Sequence, residues 1–225
     1  MRPGGAVASA RWTVSTGWTS PSRSRTRSIP ARLAFLVYDM QAGILAQIAD
    51  GDRVLANVRR LLAATRERRV RTVFLRHYFM PSELAGVFQL RQAKIWQGKD
   101  RAADTRPLIP HGSPGFELVE GLEPRHSEAV IDKITMSAFE GTPLDIVLRD
   151  CGVTAYLIAG VATEVGIEPT VRHSADLGYL PIVVRDACGA GDQAAGRRAL
   201  DGLAFTGDAL FADTDEVCAA LAATP

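Results

Sequence analysis

The chain has little cysteine. Cys151, Cys188 and Cys218 are odd in number, far apart, and form no C-x-x-C pair. That excludes a disulfide framework, offers no zinc knuckle or redox dithiol, and fits a reducing, cytoplasmic setting. Histidine is also scarce: His77, His111, His126 and His173 show neither H-x-H nor H-E-x-x-H spacing, so neither a metal site nor a cofactor is expected. No uninterrupted apolar stretch nears the roughly 18 residues of a membrane span, so a soluble protein with no membrane partner is expected. Acidic residues are missing before Asp39, whereas Arg2, Arg11, Arg23, Arg25, Arg27 and Arg32 all precede it. The formal net charge of +1 therefore hides a mildly acidic remainder, and a nucleic-acid partner has little support.

Residues 1–30 are rich in Ser, Thr, Arg, Pro and Gly and lack both hydrophobic periodicity and the continuous apolar core of a secretory signal. They read as a disordered basic tail. Residues 31–225 read as one domain, because a chain of 225 residues with 47% hydrophobic content suits a single sizeable core better than two.

From residue 33 onward, short β-branched runs alternate with segments of helical periodicity, the pattern of parallel strands covered by helices on both faces. LAFLVY (33–38), VRTVFL (70–75), EAVIDK (128–133), TAYLIAG (154–160), LPIVVRD (180–186) and ALFAD (209–213) read as six strands. Helices are expected over 52–69, with Val54, Val58, Leu61 and Leu62 buried, and over 142–152, with Thr142 as N-cap and Pro143 at the first helical position. Further helices follow the fourth strand as far as Gly178, follow the fifth strand, and close the chain over 214–223. The irregular region 80–127 is long for a connection inside an α/β domain, which marks it as shaping a site or an interface.

Open parallel sheets bind ligands beyond the carboxyl ends of their strands, so the residues that follow each strand become candidates. Asp39 leaves the first strand, where desolvation or a nearby cation would tune its carboxyl group for proton transfer or where it simply caps the next turn. Lys133 closes the third strand and would serve as its electrostatic partner, or else snorkel to water. After the fourth strand, Val161, Ala162 and Thr163 bring small residues and a helix start, whose backbone amides suit an anion. Arg76 and His77 could bind a substrate carboxylate or supply a second acid/base. Glu164 could position a water or answer the helix dipole, and Trp96 could line a pocket or pack. Cys188 in DACGAGD is a weak candidate for a displaced thiol. GAGDQA (189–194) mimics a dinucleotide fingerprint on the wrong strand, with Asp192 opposing a pyrophosphate.

Three stretches taken together, VYDMQ, DKITMSAFEGTPLDIVLRDCGV and AGVATEVGIEPTVRHSADLGYLPIVVRDA, resemble the isochorismatase-like hydrolase superfamily over about residues 33–213. The resemblance implies a three-layer α/β/α, Rossmann-like fold around a six-stranded, mostly parallel sheet, and assembly as a homodimer or homotetramer. It also implies an Asp–Lys–Cys triad for the amidohydrolase branch, with Asp39 and Lys133 matching the acid and the lysine, and a cis peptide with oxyanion donors within Val161–Ala162–Thr163. The nucleophile position is Gly166. Glycine cannot form an acyl-enzyme, so thiol catalysis is not expected. In this respect the sequence is similar to true isochorismatases, which keep the Asp and Lys, carry Gly there, and hydrolyse a vinyl ether without a side-chain nucleophile. The expected function is hydrolysis of a small carboxylated or carbonyl substrate, with Asp39 as general acid/base. The alternatives are an amidohydrolase with directly activated water and a non-catalytic binding protein.

Overall fold

The structure, a computed structural model, describes residues 29–223, so the expected N-terminal tail lies outside the described residues apart from its last two positions. Along the chain run α1 (Ile29–Arg32), β1 (Leu33–Tyr38), α2 (Ala42–Leu45), α3 (Gly51–Glu67), β2 (Arg71–His77), α4 (Val87–Trp96), β3 (Ala129–Lys133) and α5 (Leu144–Asp150). They are followed by β4 (Ala155–Val161), α6 (Glu168–Asp176), β5 (Leu180–Gly189), α7 (Gln193–Thr206), β6 (Leu210–Ala212) and α8 (Thr214–Ala223). The six strands lie in the order β3-β2-β1-β4-β5-β6, and every neighbouring pair is parallel. The order reverses between β1 and β4, which opens a crevice at their carboxyl ends.

Period-two alternation divides β1 between two cores. Leu33, Phe35 and Val37 join Val54, Val58, Leu61 and Leu62 of α3 and Val217 and Leu221 of α8 on one face. Ala34, Leu36 and Tyr38 face the other way, toward Leu144 and Leu148 of α5, Val171 of α6 and Leu203 of α7. Both faces of β1 are covered, so the strand reads as an unbroken apolar run rather than an alternating one. At Gly160 the sheet is at its tightest: φ is +132°, and a Cβ there would lie 2.0 Å from the Tyr38 carbonyl oxygen, so only glycine lets β4 approach β1 at the site.

Most element boundaries fall within a residue or two of expectation, and the differences matter. β2 extends to His77 because ladder pairing with β3 continues through His77↔Lys133. α5 begins at Leu144 with Pro143 as its N-cap, since the Thr142 hydroxyl accepts from the Leu144 N–H and donates to the Ala138 carbonyl, holding Thr142 outside the helix. β5 runs on to Gly189, which places Cys188 inside a strand, 7% exposed, instead of at a strand end. Its thiol, pushed up to about 12 by burial, is no nucleophile.

Candidate active site

The site begins with the turn that ends β1. Asp39 adopts φ +46°, a left-handed conformation that aspartate tolerates better than most residues. Its N–H is held by the Leu75 carbonyl (3.0 Å), and its own carbonyl accepts from the Gln41 N–H (2.7 Å). The turned backbone sets the carboxyl group against Lys133 at the end of β3, with Lys133 Nζ donating to Asp39 Oδ2 at 2.8 Å. This pair is almost sealed, the side chains being 1% and 8% exposed. Lys133 Nζ also lies 4.4 Å from the centre of the Tyr38 ring.

Burial shifts both partners toward neutrality while their attraction opposes it. The Asp39 carboxyl is raised to about 6, desolvation outweighing the lysine, and the Lys133 ammonium is pulled below its ordinary value by the same burial. A carboxyl poised near 6 exchanges a proton readily at neutral pH. Its second oxygen, Oδ1, has no hydrogen-bond partner. His77, at the end of β2, is 5% exposed and lowered to about 3 by desolvation and by Lys133, so its ring is neutral. The Thr135 backbone opposes that shift, although neither ring nitrogen makes a hydrogen bond of good geometry.

Asp39 and His77 open onto a cavity of about 410 Å³, within the usual range for small-molecule sites. Ala162, Glu164 and Gly166 close it from the end of β4, and Gly191 and Asp192 from the start of α7. Ile44 and Ile48, with Phe79, Trp96, Leu108 and Ile109, form an apolar wall drawn largely from the irregular region after β2. Trp96 packs edge-on to Phe79, centroids 6.1 Å apart, so it both packs and lines.

The turn after β4 is a π-helical one, Thr163–Ile167. The peptide joining Val161 to Ala162 is cis, in the segment where the resemblance places it. The Ala162 carbonyl accepts from the amides of Val165, Gly166 and Ile167 at 3.3, 3.0 and 3.2 Å, so those amides turn into the helix and away from a ligand. The first amides of the turn, at Thr163 and Glu164, have no intrahelical acceptor, as helix starts require. Val161 itself is fully buried in the core, and the Thr163 hydroxyl donates to the Gly189 carbonyl at 2.8 Å. Glu164 Oε1 accepts from the Asp192 N–H at 2.9 Å, while Oε2 is buried without a partner.

At Gly166 the structure shows more than a missing side chain. A Cβ built there would lie 2.5 Å from both Cε1 and Oη of Tyr38. The tyrosine ring, fully buried, with its hydroxyl donating to the Met136 carbonyl, occupies the volume into which a thiol-bearing side chain would project.

Of the residues singled out from the sequence, Asp39, Lys133, His77, Ala162, Glu164, Gly166 and Trp96 come together here. Arg76 does not. Its guanidinium is held by Asp132 at 2.7 and 3.1 Å, approaches Glu117 at 3.6 Å and stacks 4.2 Å from the centre of the Phe116 ring, outside the cavity lining. Two residues went unnoticed. Tyr38 reads in sequence as one more strand residue. Gln41, fully buried, accepts from the His77 N–H at 2.6 Å and donates to the carbonyls of His77 (2.9 Å) and Phe116 (2.8 Å). A polar residue two places after the strand-end aspartate was the signal available for it. Among the described residues no group of three or more His, Cys, Asp or Glu side chains could hold a metal ion, and no helix is long and apolar enough to cross a membrane.

A doubly covered parallel sheet with a buried acid–lysine pair beyond its strand ends and a cavity of small-molecule size gives the chain the architecture of the α/β/α class whose sites lie at the carboxyl ends of the strands. Within that class the chain belongs to the isochorismatase family, whose domain model matches residues 33–215. It is 30% identical over 234 residues to the ureidoacrylate amidohydrolase RutB of Serratia proteamaculans (strain 568), covering 91% of this chain and 92% of the relative. Among solved structures it is similar to an isochorismatase family protein from Burkholderia thailandensis, with TM-score 0.70, 26% identity, and 87% and 98% of the two chains covered. A cysteine hydrolase from Pseudomonas syringae pv. phaseolicola 1448A shares the fold with TM-score 0.76 and 24% identity, over 92% of this chain and 100% of the other.

Proposed function

We propose that the chain hydrolyses a C–N bond of a small amide or ureide with water as the nucleophile and Asp39 as the proton carrier. The observation that carries this reading is the pairing of Tyr38 with Gly166: the thiol's place is taken by a buried ring, while the acid and lysine remain paired at 2.8 Å. Asp39 Oδ1 takes a proton from water as its oxygen attacks the carbonyl carbon. The same carboxyl then returns that proton to the leaving nitrogen, so the carboxylate is regenerated. Lys133 holds Asp39 as the carboxylate before attack and offsets the negative charge that develops. The first amides of the β4 turn, with Ala162 against the cavity, would receive the carbonyl oxygen. The amidohydrolase relative supports the bond type, and the absence of a thiol at residue 166 in this chain argues for the water route.

Asp39→Asn keeps the size of the side chain and removes the ionisable group that takes water's proton. Turnover on a panel of amides and ureides should fall by about 10²–10⁴-fold with the circular dichroism spectrum unchanged. Full activity in that variant would remove the mechanism. A cytoplasmic location and assembly of copies of this chain belong to the same reading. Val87 and Phe88, 85% and 66% exposed on α4, supply apolar surface for such an assembly, which equilibrium sedimentation would detect.

A further inference from the structure

We infer that the cavity is completed by a second copy of this chain, whose α4 lies antiparallel on α4 of the first and brings its Leu84 over the mouth beside Trp96. The inference rests on the proposed hydrolase reading and deepens it, because it names the surface and the partner residue that close the site and makes the dimer the unit with a closed cavity.

The helices of this fold lay apolar stripes on the sheet, as α3 does with Val54, Val58, Leu61 and Leu62, whereas α4 buries only Ala93. Its own stripe, Val87, Phe88 and Ile95, recurs at helical spacing and stays 85, 66 and 64% exposed. Leu84 just before the helix, Trp96 at its end, and Leu108, which shares the cavity wall with Trp96, are exposed by 68, 45 and 39%. With side chains of this kind offering about 150–250 Å² each, the six together leave roughly 700 Å² of apolar surface open. The largest patch on a typical monomer is about 300–600 Å², whereas each partner in a stable complex contributes about 800 Å². The patch is therefore of dimer size.

Charge favours a second copy over residues 1–28 as its occupant. α4 carries Arg91 and Lys94, with Lys99, Arg101 and Arg106 following, so an arginine-rich segment without acidic residues would bring like charge to it. That segment also enters through α1 at the amino end of β1, opposite the cavity. In a second copy the charges match. Glu83 precedes α4 and Lys94 lies in its last turn, and neither side chain is committed to a partner among the described residues. A two-fold axis near Phe88 makes the helices antiparallel and repeats every contact. It sets Glu83 of each copy against Lys94 of the other, and Leu84 against Ile95 and Trp96 at the cavity mouth. Arg91, on the same stripe, then falls opposite Gly86, where nothing within 4 Å obstructs it.

Sedimentation velocity of the full chain should show a dimer at micromolar concentration. Phe88→Asp should weaken dimerisation by about 30-fold or more, as at the centre of an interface, and Ile95→Lys gives the same reading where the first variant fails to fold. Glu83→Lys should weaken it by about fivefold, since symmetry repeats each pair, and the further change Lys94→Glu should recover it. Hydrogen exchange reads closure without turnover: the amides of α4, Leu108 and Ile109 should slow between about 1 and about 100 μM protein. On any amide or ureide that is hydrolysed, the monomeric variant should show KM raised by about tenfold or more, with kcat less affected. A monomeric parent protein, a dimer that survives both apolar substitutions, failure of the paired charge exchange, exchange at Leu108 and Ile109 that ignores concentration, or an unchanged KM would overturn the inference. So would α4 amides protected equally at every concentration in a monomer, which would assign the patch to residues 1–28. A dimer with the expected exchange behaviour that hydrolyses nothing would sink the hydrolase reading and leave this one standing. Hydrolysis at full rate by a monomer would do the reverse.

Discussion

Asp39 shows how much one buried charge depends on its neighbour. Removing the ammonium with Lys133→Met would leave a carboxyl group in a site that already raises it to about 6, and breaking a buried pair in this way costs about 3–5 kcal/mol. Urea unfolding at pH 7 should register that loss, along with a collapse of turnover. The direction of the pH profile follows from the proton inventory. A carboxyl that must be ionised to accept water's proton gives kcat/KM that rises through about pH 6 and then stays level. A profile that instead falls above pH 6 would mean that Asp39 delivers a proton first, as vinyl-ether hydrolysis demands. Tyr38 and Gly166 form a second pair, steric rather than ionic. Gly166→Ala should cost about 1–3 kcal/mol by overpacking the ring, and little in a Tyr38→Val background, a coupling that a double-mutant cycle of thermal melts would measure.

At the scale of elements, the site is held by clamps between segments that are distant in the chain. Gln41, just after β1, ties the end of β2 to the loop at Phe116 through three hydrogen bonds. Gln41→Ala leaves buried backbone groups at His77 and Phe116 unsatisfied. It should destabilise the fold by about 2 kcal/mol or more and raise KM more than it lowers kcat, because the cavity wall loosens while Asp39 and Lys133 stay in place. The strand ends were legible in the sequence because β-branched runs and helical periodicity are local patterns. The tail end of β2 was not, because the two added residues are recruited by pairing with β3. Cys188 was misplaced for the same reason: β5 continues past Asp186 under the pull of its ladder with β4. The π-helical turn at Thr163–Ile167 follows from three amides converging on one carbonyl, which no residue spacing reveals.

Over the whole molecule, two opposing proton linkages at the site bear on acid stability, added to the loss on acidification that the lowered carboxyls of Glu128, Glu123 and Asp145 bring. His77 is held at about 3 in the fold against an ordinary 6.5, so the unfolded chain binds more protons between those values, and this contribution to stability is lost as pH falls through the window. Asp39 is raised to about 6 from 3.8, so in that interval the folded chain binds more protons, and its contribution grows as pH falls. The two slopes offset one another between about pH 4 and 6. Chemical denaturation across this range should therefore show a shallow dependence for the parent protein and a steeper acid loss for Asp39→Asn. For His77→Asn the acid loss should be smaller than in the parent protein, because the opposing Asp39 contribution then stands unbalanced by the histidine. Parallel slopes in all three proteins would show that these groups are not shifted by the fold.

By itself the sequence determined the order of strands and helices, the two-faced burial of the sheet and the placement of Asp39 and Lys133 at strand ends, since each rests on residue patterns a few positions long. Tertiary structure decided the rest. Whether Arg76 faced a ligand or Asp132 depended on β2 lying beside β3. Only the fold could bring Tyr38 onto Gly166, or set the Glu164 carboxylate against the Asp192 amide, because contacts between side chains far apart in the chain are set by packing and not by local preference.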